Sequence, residues 1–305
     1  MNTIHHASTQ PDSSGGLDQN SRTDRIIALM CSSPANVKIA TTILLLVFSA
    51  AALAPIIAPY SQTQTFDAVL APWSSQFWLG TDQLGRDVFS RLLFGGRNSI
   101  LIAVATTTLS FSVGATAGSL SAIRGGWTDQ IMSRVNDILM AIPTLIFALM
   151  LLSVFGTKVL NLVLIIAFLD ATRVYRLTRA VSVNVVAMEF VEVARLRGEG
   201  WIWVMRREIL PNIIPTLVAE FGIRFCYVFL TVAALSFLGV GIQPPTADWG
   251  SMVRENASLV GFLDSDPMLA LTPLIPAFAI GMVTISMNLI IDWTLQLVGG
   301  LKETR

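Results

Sequence analysis

Charge is scarce in this chain. Asp, Glu, Lys and Arg make up 13% of its 305 residues, 20 basic against 20 acidic, where a soluble domain carries about 25%. A net charge of zero argues against a nucleic-acid partner. Histidine occurs only as His5 and His6, and cysteine only as Cys31 and Cys226. A His–Cys metal site has nothing to build from, and an intramembrane hydrolase lacks its commonest general base. The two thiols lie before the first apolar run and inside the fifth, so no disulfide is expected. The lysines Lys38, Lys158 and Lys302 follow Val37, Thr157 and Leu301. A G-x-x-x-x-G-K-[ST] phosphate loop is therefore absent, as are G-x-S-x-G and H-E-x-x-H. No catalytic residue and no cofactor are expected here.

What remains is long uncharged stretches. A span needs about 20 apolar residues to cross about 30 Å of hydrocarbon. Ile39 to Pro59, Asn98 to Ile123, Ile138 to Thr157, Phe225 to Ala247 and Pro267 to Ile291 qualify. Val159 to Leu169 is a shorter sixth run, closed by Asp170, and reaches spanning length only by continuing to Arg176. Backbone amides in lipid must be satisfied within their segment, so these runs read as helices. The polar–apolar alternation of a membrane barrel is missing. The expected fold is an all-α integral membrane protein of six spans, in contact with lipid.

Six spans place both termini on one side. Assigning that side to the cytoplasm puts Arg22, Arg25, Lys38, Arg124, Arg134, Arg173, Arg176, Arg179, Arg195, Arg197, Arg206, Arg207, Lys302 and Arg305 inside. Arg86, Arg91, Arg97, Lys158 and Arg254 remain outside, which supports an N-in, C-in topology. The expected division is a polar cytoplasmic tail over 1–38, a first span with an outer loop over 39–97, and a five-span core over 98–305 with a cytoplasmic loop at about 177–212. The tail reads as loosely held rather than as a signal peptide, because no apolar run starts before Ile39. Trp73, Phe77, Trp78, Trp249 and Phe262 in the outer segments read either as interface anchors or as part of a docking surface for an extracytoplasmic partner. No internal repeat is visible, which weakens a secondary transporter built on inverted repeats.

Between two spans, Glu192 to Asn212 reads EVARLRGEGWIWVMRREILPN. Glu189 to Arg197 favours helix, Gly198 and Gly200 break it, and Trp201 to Leu210 resumes it. Ile202, Met205 and Ile209 are spaced to share one face. Pro211 and Pro215 limit the helix that follows. A helix–turn–helix on a cytoplasmic loop can transmit a push from another protein. An amphipathic element lying on the membrane, with Trp201 and Trp203 in the headgroups, fits the same residues.

The segment resembles the E-A-A–x3–Gly pattern of ATP-binding-cassette (ABC) importer permeases. Glu192, Ala194, Gly198, Leu210 and Pro211 fall on it, and Val193 and Glu208 depart from it. The outer stretch LGTDQLGRDVFSR, containing Gly80, Thr81, Asp82, Gly85, Arg86, Asp87, Ser90 and Arg91, resembles a signature of the dipeptide/oligopeptide/nickel branch, in the second of its two permease subunits. Asp137–Pro143 and Ala234–Gly250 are similar to the same branch. After Asp292, Leu295 and Gln296 stand where relatives often carry an Arg-Asp pair. The resemblance implies a type I importer permease of the bacterial inner membrane, for peptides or peptide-like solutes. It implies a heterodimer with a second permease, two cytoplasmic ATPases that hold ATP and Mg2+, and a periplasmic substrate-binding protein. The ATPase-coupling residues it points to are Glu192, Ala194, Arg195, Gly198, Glu199, Gly200, Trp201, Trp203, Arg206, Leu210 and Pro211. A stand-alone ion-coupled transporter is the alternative.

From the residues themselves, Gly80, Thr81, Asp82 and Gly85 are turn chemistry, and Arg86 and Asp87 are placed to pair. Gln243-Pro244-Pro245 is expected to end the fifth helix. Glu220 and Arg224, four apart, and Asp170 and Arg173, three apart, read first as structural pairs. Asn161, Thr284, Ser286 and Asn288 either line a path or bond across helices.

Overall fold

The computed structural model describes residues 33–303, with side chains through 296. His5, His6 and Cys31 lie outside the described residues, as does most of the expected tail. The described chain is helical, with two isolated antiparallel bridges, Thr65–Arg86 and Thr81–Asp87. In chain order the helices are α1 (Ala35–Ala52), α2 (Ala54–Ile57), α3 (Val88–Arg124), α4 (Gly126–Ala141), α5 (Thr144–Phe155), α6 (Val159–Val186) and α7 (Glu189–Leu196). There follow α8 (Trp201–Phe237), α9 (Trp249–Glu255), a 3-10 turn (Ala257–Phe262) and α10 (Pro267–Glu303).

Four of these, α1, α3, α8 and α10, are long and apolar enough to cross a membrane. The α4–α5 pair makes a fifth if it is one span. The expected third span, Ile138 to Thr157, is therefore not one continuous helix. Pro143 disfavours helical backbone at the preceding residue, Ile142 is extended (φ −90°, ψ 130°), and α4 and α5 meet at 89°. The sixth expected run does continue as one helix, through Asp170 and Arg176 to Val186.

Other boundaries move for local reasons. The second span starts at Val88 rather than Asn98, because Asp87 caps it by accepting a hydrogen bond from Ser90 N at 2.8 Å. Arg91 and Arg97 are therefore helical and not loop residues. The fifth helix ends at Phe237, well before Gln243-Pro244-Pro245. There Gly239 N–H donates to Ser236 O and Val240 N–H to Leu235 O, both at 3.0 Å, the reciprocal closure of a Schellman motif. The prolines lie in the loop beyond it. Pro211 and Pro215 sit inside continuous helix; Pro211 lies two residues past the end of a π turn, Met205–Ile209. Proline removes a donor and crowds the carbonyl four residues back, and the widened turn accommodates it.

The bundle closes most tightly between α3 and α6. Gly114 and Gly118, one turn apart in Gly-Ala-Thr-Ala-Gly, let the two backbones meet. A Cβ at Gly114 would lie 2.6 Å from Ala171 O, and one at Gly118 would lie 2.6 Å from Tyr175 O. Without water to drive association, helices in lipid gain from this kind of close approach by small residues. Buried Ser110 adds a hydrogen bond to Asp170 Oδ2 at 3.0 Å across the same contact. Gly118→Val is expected to cost about 1–3 kcal/mol through overpacking, read as earlier unfolding of the purified chain in detergent. Gly281→Val, at a helical glycine with nothing within 4 Å of a Cβ, is not expected to carry that cost.

The main apolar core gathers Ile100, Leu152, Leu162, Ile166, Phe225, Phe229, Leu235 and Trp249 from α3, α5, α6, α8 and α9. A second, separate core forms at the end of the bundle that carries α7. It consists of Val185, Val191, Ala194, Val204, Ile209 and Ile213.

Candidate functional site

The turn between α7 and α8 is built by hydrogen bonds that the sequence encodes. Glu199 N–H donates to Ala194 O at 3.2 Å, and Gly198 N–H to Arg195 O at 2.9 Å. Together they close the C-terminus of α7 as a Schellman motif, with Gly198 at the left-handed position (φ 84°). Any Cβ is disfavoured in that conformation. Gly200 has a negative φ of −72° and open space beside it, so of the two glycines only Gly198 is demanded by the backbone. Val191 and Ala194, fully buried, face the second core.

On α8 the apolar face differs from the expected one. Val204, Ile209 and Ile213 are buried, whereas Ile202 is exposed and Met205 is only partly covered. The π turn between Val204 and Ile209 brings residues five apart onto one side, which a period of 3.6 does not anticipate. Trp203 and Leu210 pack at the edge of this core. Glu192, Arg206 and Pro211 are exposed.

Two further contacts pin the turn to the end of α3. Arg195 donates to Ile123 O at 3.1 Å, and the Arg124 guanidinium lies 4.9 Å from the centre of the Trp201 ring. Val193 (51%), Leu196 (80%) and Ile202 (46%) are exposed, and Trp201 keeps 41% of its surface open beside Arg124. The turn is therefore a rigid knob with a core of its own, an apolar rim, and Arg197, Arg206 and Arg207 exposed around it.

The other sequence signature folds at the opposite end of α3 into a buried charge cluster. Arg86 Nε donates to Asp82 Oδ2 at 2.7 Å, and its terminal nitrogen meets Glu255 Oε2 at 2.5 Å. Arg91 reaches the same Glu255 oxygen at 2.9 Å and lies 3.5 Å from Asp82 Oδ2. The side chains of Asp82 and Arg91 are 2% and 1% exposed. The expected Arg86–Asp87 pair is corrected: Asp87 caps α3 and Arg86 turns to Asp82 and Glu255. Asp82 Oδ1 also accepts from the N–H groups of Leu84 and Arg86, both at 2.9 Å. Thr81 donates to Ala68 O, and Ser90 accepts from Tyr60 N–H. Gly80 and Gly85 hold the turns on either side.

The loop that supplies Glu255 is tied to the same region. Trp249, expected as an interface anchor or in a docking surface, is buried, and its indole N–H donates to Leu92 O at 2.8 Å. Phe77 is also buried, while Trp73, Trp78 and Phe262 are exposed. Asp248 caps α9 in a reciprocal box with Ser251. Burial holds the Asp248 carboxyl above its ordinary range, opposed by the hydrogen bond from Ser251 N–H. Gln62 Oε1 accepts from Ala247 N–H at 3.0 Å, and Gln83 donates to Ser258 Oγ at 2.9 Å.

Among the expected pairs, Arg224 Nε meets Glu220 Oε1 at 2.6 Å. Asp170 is shared: Arg173 lies 3.9 Å away and Arg224 3.8 Å away, from a different helix. Asn161 caps α5 by donating to Phe155 O, and Thr284 bonds within its own helix to Ile280 O. Asn288 and Asp292 are exposed and Ser286 is buried. The Gly-x3-Gly packing seam and the role of Glu255 went unread in the sequence. The first had a visible signal in the five-residue Gly114–Gly118 stretch; the second had none, being long-range.

Residues 114–299 match the family described as binding-protein-dependent transport system inner membrane component. A di/tripeptide transport system permease protein of Pseudomonas aeruginosa is 35% identical over 70% of this chain and 72% of its own length. A glutathione transport system permease protein of Pectobacterium atrosepticum is 32% identical over 81% of each. A putative peptide permease protein of Brucella suis is 40% identical over 61% of each. The chain belongs to the binding-protein-dependent transport system inner membrane components, as a multi-pass permease of the inner membrane.

Proposed function

We propose that this permease carries peptides or peptide-like solutes, as the names of its relatives say of them, in an ATP-driven importer. It forms the path with a second permease. Two ATPases with ATP and Mg2+ act from the cytoplasm, and a periplasmic binding protein delivers cargo. This chain supplies no catalytic group. The spans are α1, α3, the α4–α5 pair with α4 lying across its cytoplasmic foot, α6, α8 and α10, giving six with both termini inside. The division at 38 follows that topology, whereas the one at 97 falls inside the helix that begins at Val88.

In this reading the coupling element is the turn formed by Glu192, Ala194, Arg195, Gly198, Glu199, Gly200, Trp201, Trp203, Arg206, Leu210 and Pro211. The observation that carries it is the exposed apolar rim of Val193, Leu196 and Ile202 on a knob with a separate core. A helix merely floating on lipid has no need of an independent core or of pins to α3. The residues from Gly80 to Arg91 brace the outer surface on which the binding protein docks.

The test is co-purification in mild detergent. The wild-type chain is expected to bring down a second permease and two ATPase subunits. Leu196→Asp is expected to weaken ATPase retention by about ten- to a hundredfold, the size of an interface hot spot, and to leave the second permease bound. A chain that purifies alone and transports with no ATPase present is the ion-coupled alternative, and that result overturns the proposal.

A further inference from the structure

A cavity of about 550 Å3 opens between α4, α6 and α8, lined by Met140, Arg173, Arg176, Leu177, Glu220, Arg224 and Tyr227 among others. Its charges do not cancel. Arg224 is held by Glu220 and by Asp170 behind the wall. Arg173 donates to Thr144 Oγ1 at 2.9 Å and faces Asp170. Three guanidiniums therefore meet two carboxylates, and Arg176 is exposed with no ion pair among the described residues.

Depth gives this surplus its meaning. At 1.5 Å per residue, Arg173 stands about 20 Å from the Val159 end of α6, and Arg224 stands about 20 Å from the Phe237 end of α8. With the outer ends of α6 and α8 at the membrane surface, as in the six-span reading proposed above, both lie inside a hydrocarbon layer of about 30 Å. Arg173 is then not among the cytoplasmic charges, contrary to the expectation from the sequence. Ionisable groups at such depth face a water-filled cavity or a path rather than lipid. The nearer leaflet's phosphates lie about 10 Å further on, and Arg173 and Arg224 are tethered where they are. Only Arg176 could reach a lipid headgroup, and it lines the same cavity as the two tethered guanidiniums, so a headgroup is the poorer occupant. Tyr227 adds a flat apolar wall under the Arg224 guanidinium, 5.0 Å from the ring centre.

We infer that Arg176, with Arg173 and Arg224, forms a transient site on the translocation path for the carboxylate of the cargo. The inference rests on the peptide-importer reading above. A guanidinium pairs with a carboxylate through two parallel hydrogen bonds. With one surplus charge, the site attracts an anion strongly enough for entry. The carboxylates already bound to Arg173 and Arg224 keep it weak enough for release.

The experiment uses the complete assembly, with its second permease, ATPases and binding protein, in liposomes containing ATP. Uptake of alanine di-, tri- and pentapeptides is measured alongside the ATPase stimulation caused by peptide-loaded binding protein. Arg176→Gln is expected to lower uptake about tenfold, the effect of losing a charge-assisted hydrogen bond, with ATPase stimulation retained. Arg176→Lys is expected to recover part of the rate. Equal uptake by wild type and Arg176→Gln overturns the inference and leaves the importer reading intact. So does loss of the second permease on purification, which makes Arg176 an interface residue. A defect that follows the vesicles' phosphatidylglycerol content also overturns it, in favour of lipid binding. A wild-type assembly that imports none of the peptides overturns the peptide reading itself, and this inference with it.

Discussion

Arg91→Ala is expected to destabilise the chain by about 3–5 kcal/mol, the cost of breaking a buried ion pair from one side. The four charges of Asp82, Arg86, Arg91 and Glu255 sum to zero, and the Arg91 side chain is 1% exposed. Removing Arg91 leaves two carboxylates around one guanidinium, with Asp82 cut off from water and only Glu255 partly exposed. Unfolding of the purified protein in detergent, followed by helical signal against denaturant, reads the loss directly. Arg91→Lys keeps the charge but cannot reach Asp82, Glu255 and the Gln62 carbonyl from one planar group, so an intermediate loss is expected. Pairing Arg91→Met with Glu255→Gln restores neutrality and is expected to recover much of the stability. A loss below about 1 kcal/mol for Arg91→Ala would place the cluster among ordinary surface pairs and remove its role as the brace of this end.

Gly198→Val acts at the other end and by another route. Nothing lies within 4 Å of a Cβ at Gly198, so no clash reaches the bundle. The cost is conformational: a non-glycine residue held at positive φ costs about 1–3 kcal/mol, and a β-branched one is a steric outlier there. The cheapest relief is to open the Schellman closure, which turns the rim of Val193 and Leu196 away from its present direction. Uptake by the assembled importer is expected to fall about five- to a hundredfold, that strain expressed as an equilibrium. Stability of the isolated chain is expected to fall by no more than that strain. Gly200→Val, with φ at −72°, is the matched control and should transport normally. Asn at 198 tolerates the left-handed region and should retain most activity. Full uptake by Gly198→Val would separate the turn from coupling.

The two ends differ in how far the sequence revealed them. The knob is local: its helix, its glycine and its resumption at Trp201 all lie within a short stretch, and propensity and turn chemistry suffice to draw it. Its buried face escaped because the π turn changes the period between Val204 and Ile209. Hydropathy found the apolar runs but not their true ends. Those are decided by single residues, the Asp87 cap and the Gly239 closure, which hydropathy does not weigh. Pro143 lay in plain view inside an uncharged run, where a charge count treats it as any other residue. The cluster around Arg91 was hidden for a different reason. Its acid partner Glu255 comes from the far side of the chain, and a single sequence gives no means of pairing them. Glu220 and Arg224 were read correctly because four residues on one helix fix their distance; Asp170 was read in part, its second arginine belonging to α8.

The segment before α3, with the first residues of α3 itself, and the segment after α8 share Gln62 with Ala247, Gln83 with Ser258, Leu92 with Trp249, and Glu255 with both Arg86 and Arg91. Such stitching makes one plate of two loops remote in sequence. Weight set down anywhere on that plate is shared by the tops of α3, α8 and α10 together, so a visitor that tilts it cannot tilt one helix alone.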